Sequence, residues 1–187
     1  NFIFLRKFAT KMKTASIIII GNEILSGRTL DRNSNYLAKM LVEKGISLQE
    51  VRVIPDDHSI IKSVVNNESS LKDYVFTSGG IGPTHDDITA EAIASSFDVP
   101  LLVRDDAVEL LAMHYKNGKK DLNAARLRMA RIPEGASLIE NKVSGAPGFV
   151  IKNVYVMAGV PEVFEAMVQE IILDLGSVSP IISKTIK

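Results

Sequence analysis

Residues 77–91, reading TSGGIGPTHDDITAE, constrain the fold of this chain more than any other stretch. They set a glycine-rich turn between an apolar strand at 73–77 and an amphipathic helix that opens at Ile88. Gly79, Gly80 and Gly82 allow a tight turn whose amides stay unobstructed, so a phosphate can approach the main chain. Asp86 and Asp87 would repel that phosphate unless a divalent cation lay between them. Glycines and carboxylates together predict a metal-assisted phosphate site.

With 187 residues, 46% hydrophobic and 24% charged, the chain suits one globular domain with a full core. The 22 basic and 22 acidic side chains cancel, which excludes the basic field that nucleic-acid binders use. There is no cysteine, so a disulfide framework, a thiolate metal site and a cysteine nucleophile are excluded, and a cytoplasmic setting is expected. His58, His85 and His114 are too scattered for a zinc site. The apolar stretch at 2–5 is too short to span a bilayer, so no membrane partner is expected. Residues 1–13 read as an N-terminal extension, 14–176 as the domain and 177–187 as a tail. Met12 reads as the natural start. The alternative is an organellar transit remnant, because the extension carries Arg6 and Lys7 and no acid.

Apolar periodicity predicts strands at 16–20, 51–54 and 74–77, with helices at 33–44, 60–71 and from 88 onward. That alternation implies a parallel sheet covered by helices and wound right-handed. Residues 101–103 read as a small edge strand, Asp105 as the cap of a helix, and 121–130 as a second helical piece. Residues 137–139 and 148–151 read as strands of an inserted hairpin, 153–158 as a central strand and 162–175 as the closing helix.

In an open parallel α/β sheet, ligands collect beyond the carboxyl ends of the strands. Four polar stations fall at those expected ends: Gly21-Asn22-Glu23, Asp56-Asp57, the loop at 79–87, and Gly159-Val160-Pro161. Three of them carry carboxylates, so one cleft could hold a cation and orient a pyrophosphate against it. Each station has a plainer alternative. Asp86 or Asp87 could cap the following helix; Asp56-Asp57 after Pro55 could be only a turn; Glu23 could partner a helix dipole. His85 reads as a solvated loop residue, and of Arg126, Arg128 and Arg131 one could reach a phosphate. The loop lacks the Gly-Lys-Ser/Thr ending of a Walker A loop, and His85 stands where a dinucleotide fingerprint needs its third glycine. No Gly-x-Ser-x-Gly nucleophile elbow is present.

The stretch from Gly79 to Thr89 resembles the signature of the MoaB/Mog molybdopterin-binding fold. Its fuller GGxGPTxDDxT form is similar to CinA-type proteins and to the molybdopterin-binding-like domain of eukaryotic FAD synthases. Three further segments agree: 21–27 with Asp31, Asn33 and Asn35; Val53-Ile54-Pro55-Asp56; and Gly145-Ala146-Pro147-Gly148-Phe149. The resemblance implies a three-layer α/β/α fold, mostly parallel, with a small inserted β/helical region. It implies a homo-oligomer, dimer or trimer, whose ligand is a nucleotide or a pterin such as molybdopterin. Asp56 and Asp87 match the active-site aspartates of molybdenum-cofactor adenylyltransferases, and Asp86 marks the CinA/FAD-synthase branch.

That branch is associated with hydrolysis of a nucleotide pyrophosphate, such as ADP-ribose or FAD, with Mg²⁺ or a similar divalent metal. The resemblance thus assigns catalysis to Asp56 and Asp87 and the metal to Asp86 and Asp87. Substrate or phosphate contacts are expected from Gly21, Glu23, Asn33 and Asn35, and from Gly79, Gly80, Gly82, Pro83, Thr84 and Thr89. Others are expected from Gly145, Pro147, Gly159 and Pro161. Ser78 stands where many relatives have glycine or alanine, and the MAGVP turn at 157–161 replaces a more proline-rich one. CinA proteins usually add an amidohydrolase domain and FAD synthases an adenylyl-transferring domain; neither is read here, so FAD synthesis is not expected. The expected activity is release of AMP, with a non-catalytic binding module or a molybdopterin adenylyltransferase as alternatives.

Overall fold

The structure, a computed structural model, describes residues 12–176; most of the expected extension and the whole expected tail lie outside them. Lys13, expected in the extension, already belongs to the domain. Its carbonyl accepts from the Ser47 amide at 2.9 Å, and its Nζ donates to Asp73 Oδ1 at 2.8 Å.

The strand β1 (Thr14–Ile20) lies inside a sheet flanked by β2 (Ser47–Ile54) and β3 (Tyr74–Ser78). Its isoleucines divide between two cores. Ile18 and Ile20 pack with Ile61 and Val65 of α3 (His58–Leu71) and Ile93 of α4 (Thr89–Ser96). Ile17 and Ile19 pack with Leu37 and Leu41 of α2 (Asn33–Glu43) and with Phe164 and Met167 of α7 (Pro161–Ile172). Burying each such side chain is worth roughly 1.5–3 kcal/mol, so the strand is pinned from both faces. The result is the expected three-layer α/β/α arrangement.

Four strands run parallel in the order β2-β1-β3-β8, where β8 is Val154–Met157. The sheet then continues antiparallel through β7 (Gly148–Ile151) and β6 (Ser137–Ile139). The expected inserted hairpin is therefore an extension of the main sheet. Its link to β8 is a tight Lys152-Asn153 turn in which Lys152 takes φ 52°. Strand β2 begins four residues before its apolar run, because an edge strand tolerates the polar alternation of 47–50.

The inserted unit is built from β4 (Leu101–Val103), α5 (Asp105–Met113), a 3₁₀ turn (Gly118–Asp121), α6 (Ala124–Arg128) and β5 (Arg131–Pro133). β4 is not an edge of the main sheet; it pairs antiparallel with β5 in a sheet of its own. Asp105 is the first residue of α5 and not its cap. The Arg104 amide still donates to Ala130 O at 3.1 Å, so the helix starts only after it. The helical piece expected at 121–130 is interrupted because Asn123 caps α6, its Oδ1 accepting from the Arg126 amide at 3.0 Å. Among the described residues, no helix is long and apolar enough to cross a membrane.

Candidate functional site

The chain places β2 on one side of β1 and β3 on the other, so a topological switch point lies between the tips of β1 and β3. All four expected stations meet there. The Gly21 amide donates to Ile54 O and the Gly79 amide to Met157 O, each at 3.1 Å. A Cβ on Gly79 would lie 2.1 Å from Ile20 O, and one on Gly159 would lie 3.2 Å from Gly79 Cα. Backbones this close leave no room for a side chain at Gly79. Asn33 locks the junction from α2: its Nδ2 donates to Ser78 Oγ at 2.7 Å and to Gly159 O at 2.9 Å. Ser78 is thus one of the two acceptors of this asparagine.

The loop after β3 is shaped by four local bonds. Gly80, at φ +70°, accepts from the Thr89 amide at 2.9 Å. A Cβ there would stand 2.1 Å from Thr89 Oγ1. Asp87 Oδ2 accepts from both the amide and the hydroxyl of Thr84, at 2.8 and 2.6 Å. His85 Nε2 stands 2.7 Å from Asp86 Oδ1. The residue preceding α4 is Ile88, which makes no side-chain cap bond, so neither aspartate caps that helix. The amides of Gly80, Ile81 and Gly82 find no acceptor among the described residues.

Two cavities open on this loop. One, of about 310 Å³, is lined by Asn22, Glu23, Arg28, Asp56, Asp86 and Asp87, with Gly80 and Ile20. The other, of about 520 Å³, carries Gly79, Ile81, Gly82, Pro83, Met129, Ser144, Ala146, Gly159, Val160, Pro161 and Val163 among its walls. Glu23, Gly80 and Asp87 line both. Asp56 is held by the Asn22 amide on Oδ2, at 2.9 Å, while the adjacent Asp57 caps α3 by accepting from the Ile60 amide at 2.9 Å. The pair is therefore more than a turn: one member caps and the other faces the cavity.

Several expected contacts are supports instead. Thr84 spends both donors on Asp87 and has none left for a phosphate. Thr89 is buried behind Gly80, outside both cavities. Gly21 lies beneath the acidic cavity, where its missing side chain leaves room for the Glu23 carboxylate to fold back. Asn33 is buried as the lock just described, and Asn35 is exposed on the outer face of α2. Gly145 packs against His114 in a surface notch with Glu140 and Lys142. Pro147 is buried behind the loop beside Ile132 and Phe149. Ser144 and Ala146, on either side of Gly145, are the residues that reach the cleft. Met129, Val163 and Arg28 also line the site without a spacing signal in the sequence.

Of the three candidate arginines, Arg128 touches the loop, donating from Nε to Thr84 O at 3.0 Å. Arg126 instead lies over the Tyr115 ring, and Arg131 Nε is buried without a partner. Among the described residues, no three His, Asp or Glu converge as a ready-made metal cage. However, Mg²⁺ keeps several waters and commonly takes one or two carboxylates together with substrate phosphates. Asp56, Asp86 and Asp87 each keep one carboxylate oxygen free of protein partners, and Glu23 keeps both, among the described residues. The donors present fit that mode of binding and do not fit an all-protein cage.

The family described as a probable molybdopterin binding domain matches residues 16–178. A protein of Archaeoglobus fulgidus is 39% identical over 156 residues, covering 83% of this chain and 66% of its own length. A CinA-like protein of Sulfurihydrogenibium sp. is 36% identical over 159 residues, covering 82% and 40%. The chain thus spans less than two thirds of the length of these relatives. The crystal structure of CinA from Thermoplasma acidophilum, a protein of unknown function, matches with a TM-score of 0.80 at 36% identity, over 87% of this chain and 98% of that one. The molybdopterin biosynthesis enzyme MoaB from Thermus thermophilus shares the fold, with a TM-score of 0.58 at 16% identity over 88% and 92% of the two chains. By the family match and the CinA-like relatives, the chain belongs to the family described as a probable molybdopterin binding domain, whose fold it shares with MoaB.

Proposed function

We propose that the joined cleft binds a nucleotide pyrophosphate and hydrolyses it, releasing AMP from a substrate of the ADP-ribose or FAD type. One observation carries this reading: Glu23, Asp56, Asp86 and Asp87 line a single cavity that meets the larger, apolar one at Gly80. A flat ring would lie against Ile81, Val160 and Val163, with the diphosphate at the unpaired amides of Gly80, Ile81 and Gly82.

Hydrolysis adds water across one P–O–P bond. The water oxygen joins one phosphorus, and the bridging oxygen leaves on the other phosphate. Asp56, fixed through Oδ2, would orient that water and hold its proton on the remaining oxygen. The free amides would stabilise charge as it moves to the leaving phosphate. A divalent cation such as Mg²⁺, held by Asp86 and Asp87, supplies a more acidic water and offsets phosphate charge when bound.

The test is AMP release from ADP-ribose and FAD with Mg²⁺, Co²⁺ or EDTA. Metal-dependent release that disappears in Asp87→Asn supports the mechanism; unchanged turnover in that variant sinks it. A second reading is ligand binding without chemistry, with the unpaired amides of Gly80, Ile81 and Gly82 holding the phosphates. Binding without turnover under every metal would establish it. ATP consumption only in the presence of molybdopterin would point to adenylyl transfer instead.

A further inference from the structure

We infer that Arg28 contacts the ligand's phosphates directly and selects a diphosphate over a monophosphate. Resting on the proposed nucleotide-pyrophosphate reading, this assigns a specificity-determining role to a residue outside the glycine-aspartate motif.

Arg28 lines the acidic cavity with four carboxylates and Gly80, yet forms no ion pair among the described residues. Four other cations of the domain do pair: Lys13 with Asp73, Arg52 with Glu50 and Glu68, Arg104 with Asp106 and Lys119 with Glu109. A guanidinium left unpaired in an acid-lined cavity is available to a ligand.

Its position is built by the backbone. After α1 (Asn22–Leu25), the Ser26 amide donates to Asn22 O at 2.9 Å and the Gly27 amide to Ile24 O at 3.0 Å. Gly27 turns the chain at φ +73°, and the Thr29 amide closes the loop on Glu23 O at 3.1 Å. Arg28 Nε donates to Ser26 Oγ at 3.1 Å, and that hydroxyl donates to Glu23 O at 3.2 Å. These bonds hold the stem of the guanidinium, while both terminal nitrogens keep their donors free among the described residues. A planar pair of N–H donors matches two phosphate oxygens at once, which a point charge does not.

The charges explain why such a residue is needed. The carboxylates that would hold a cation also repel a diphosphate, and among the described residues Arg28 is the one cationic side chain lining that cavity. Arg128 does not share the role, since it grips Thr84 O from behind the loop and lines a separate small space.

The test is calorimetry with Mg²⁺, using α,β-methylene-ADP, a diphosphate that cannot be cleaved at its methylene bridge, and AMP as the monophosphate. Arg28→Ala should weaken binding of the methylene compound by about tenfold or more, as expected for a lost charge-assisted hydrogen bond, and AMP binding by much less. Arg28→Lys should recover only part of the loss. Because Arg28 is exposed, the melting temperature of both variants should match the parent, which separates lost contact from lost fold. Unchanged affinity for the methylene compound, equal losses for both ligands, or a parent protein that binds neither would each overturn the inference. If Arg28→Ala loses diphosphate binding while ADP-ribose is never cleaved, the hydrolase reading falls and the inference stands. If ADP-ribose is cleaved with the same KM in Arg28→Ala, the inference falls and the hydrolase reading stands.

Discussion

The main-chain amide of Asn22 donates to Asp56 Oδ2 at 2.9 Å, tying the tip of β1 to the tip of β2. One carboxylate thereby both organises the cleft and presents its other oxygen to it. Asp56→Asn keeps an acceptor for Asn22 and loses only the charge, whereas Asp56→Ala loses both. Urea unfolding should show the alanine variant less stable by about 1 kcal/mol and the asparagine variant close to the parent. AMP release should fall by about 100-fold or more in both. Equal activity of Asp56→Asn and parent would remove Asp56 from the chemistry.

Asn33 reaches from α2 to two strand tips and is buried. Replacing it by alanine leaves Gly159 O and Ser78 Oγ without this donor. The expected cost is about 2 kcal/mol of stability, read as a lower urea midpoint with an unchanged slope. Ser78→Ala should cost less, because Asn33 Nδ2 retains Gly159 O.

Gly80 and Thr89 fit together so closely that a methyl group on the glycine would collide with the threonine hydroxyl at 2.1 Å. Gly80→Ala is expected to destabilise by about 2 kcal/mol through this clash and its positive φ. Thr89 Oγ1 has no hydrogen-bond partner among the described residues, so Thr89→Ala alone should be mild. The double variant should recover part of the Gly80→Ala loss, since the clash goes and the backbone strain stays. A thermodynamic cycle showing simple additivity would contradict the contact.

Asp73 is held at about 2, against an ordinary 3.8, by its hydrogen bond from Lys13 and by bonds from Thr14. A carboxyl group depressed in the folded state stabilises fully above its unfolded value. That contribution is lost as pH falls from near 3.8 through about 2. After screening at this partly exposed site, it is on the order of 1 kcal/mol. Melting curves between pH 5 and pH 2 should therefore show a steeper acid loss in the parent than in Asp73→Asn, which has no proton to gain there.

The sequence-level pattern reaches the elements more readily than their partners. The apolar runs mark 137–139 and 148–151 as strands, and both form there. Only the pairing of Phe149 with Val156 reveals that they lengthen the main sheet. The strand at Arg131–Pro133 is three residues long and ends in proline, so it carries no period to read. The glycine-aspartate loop is legible because its residue types serve one narrow geometry. Asn33 and Asn35 look alike in a motif, but burial separates them, and that depends on Ser78 and Gly159, far along the chain. Arg28 is invisible to spacing because its orientation comes from the Gly27 turn.

At the floor of the cleft, a Cβ on Gly159 would stand 3.2 Å from Gly79 Cα, and Asn33 ties Gly159 O to Ser78. That floor cannot widen without breaking the sheet. On the proposed reading, room for a bulkier ring would come from the rim, where Met129 of the inserted unit, Ser144 and Ala146 line the larger cavity. Ring recognition and phosphate handling would, on that reading, sit on separate parts of the scaffold: the first on outer segments, the second on a tightly packed base.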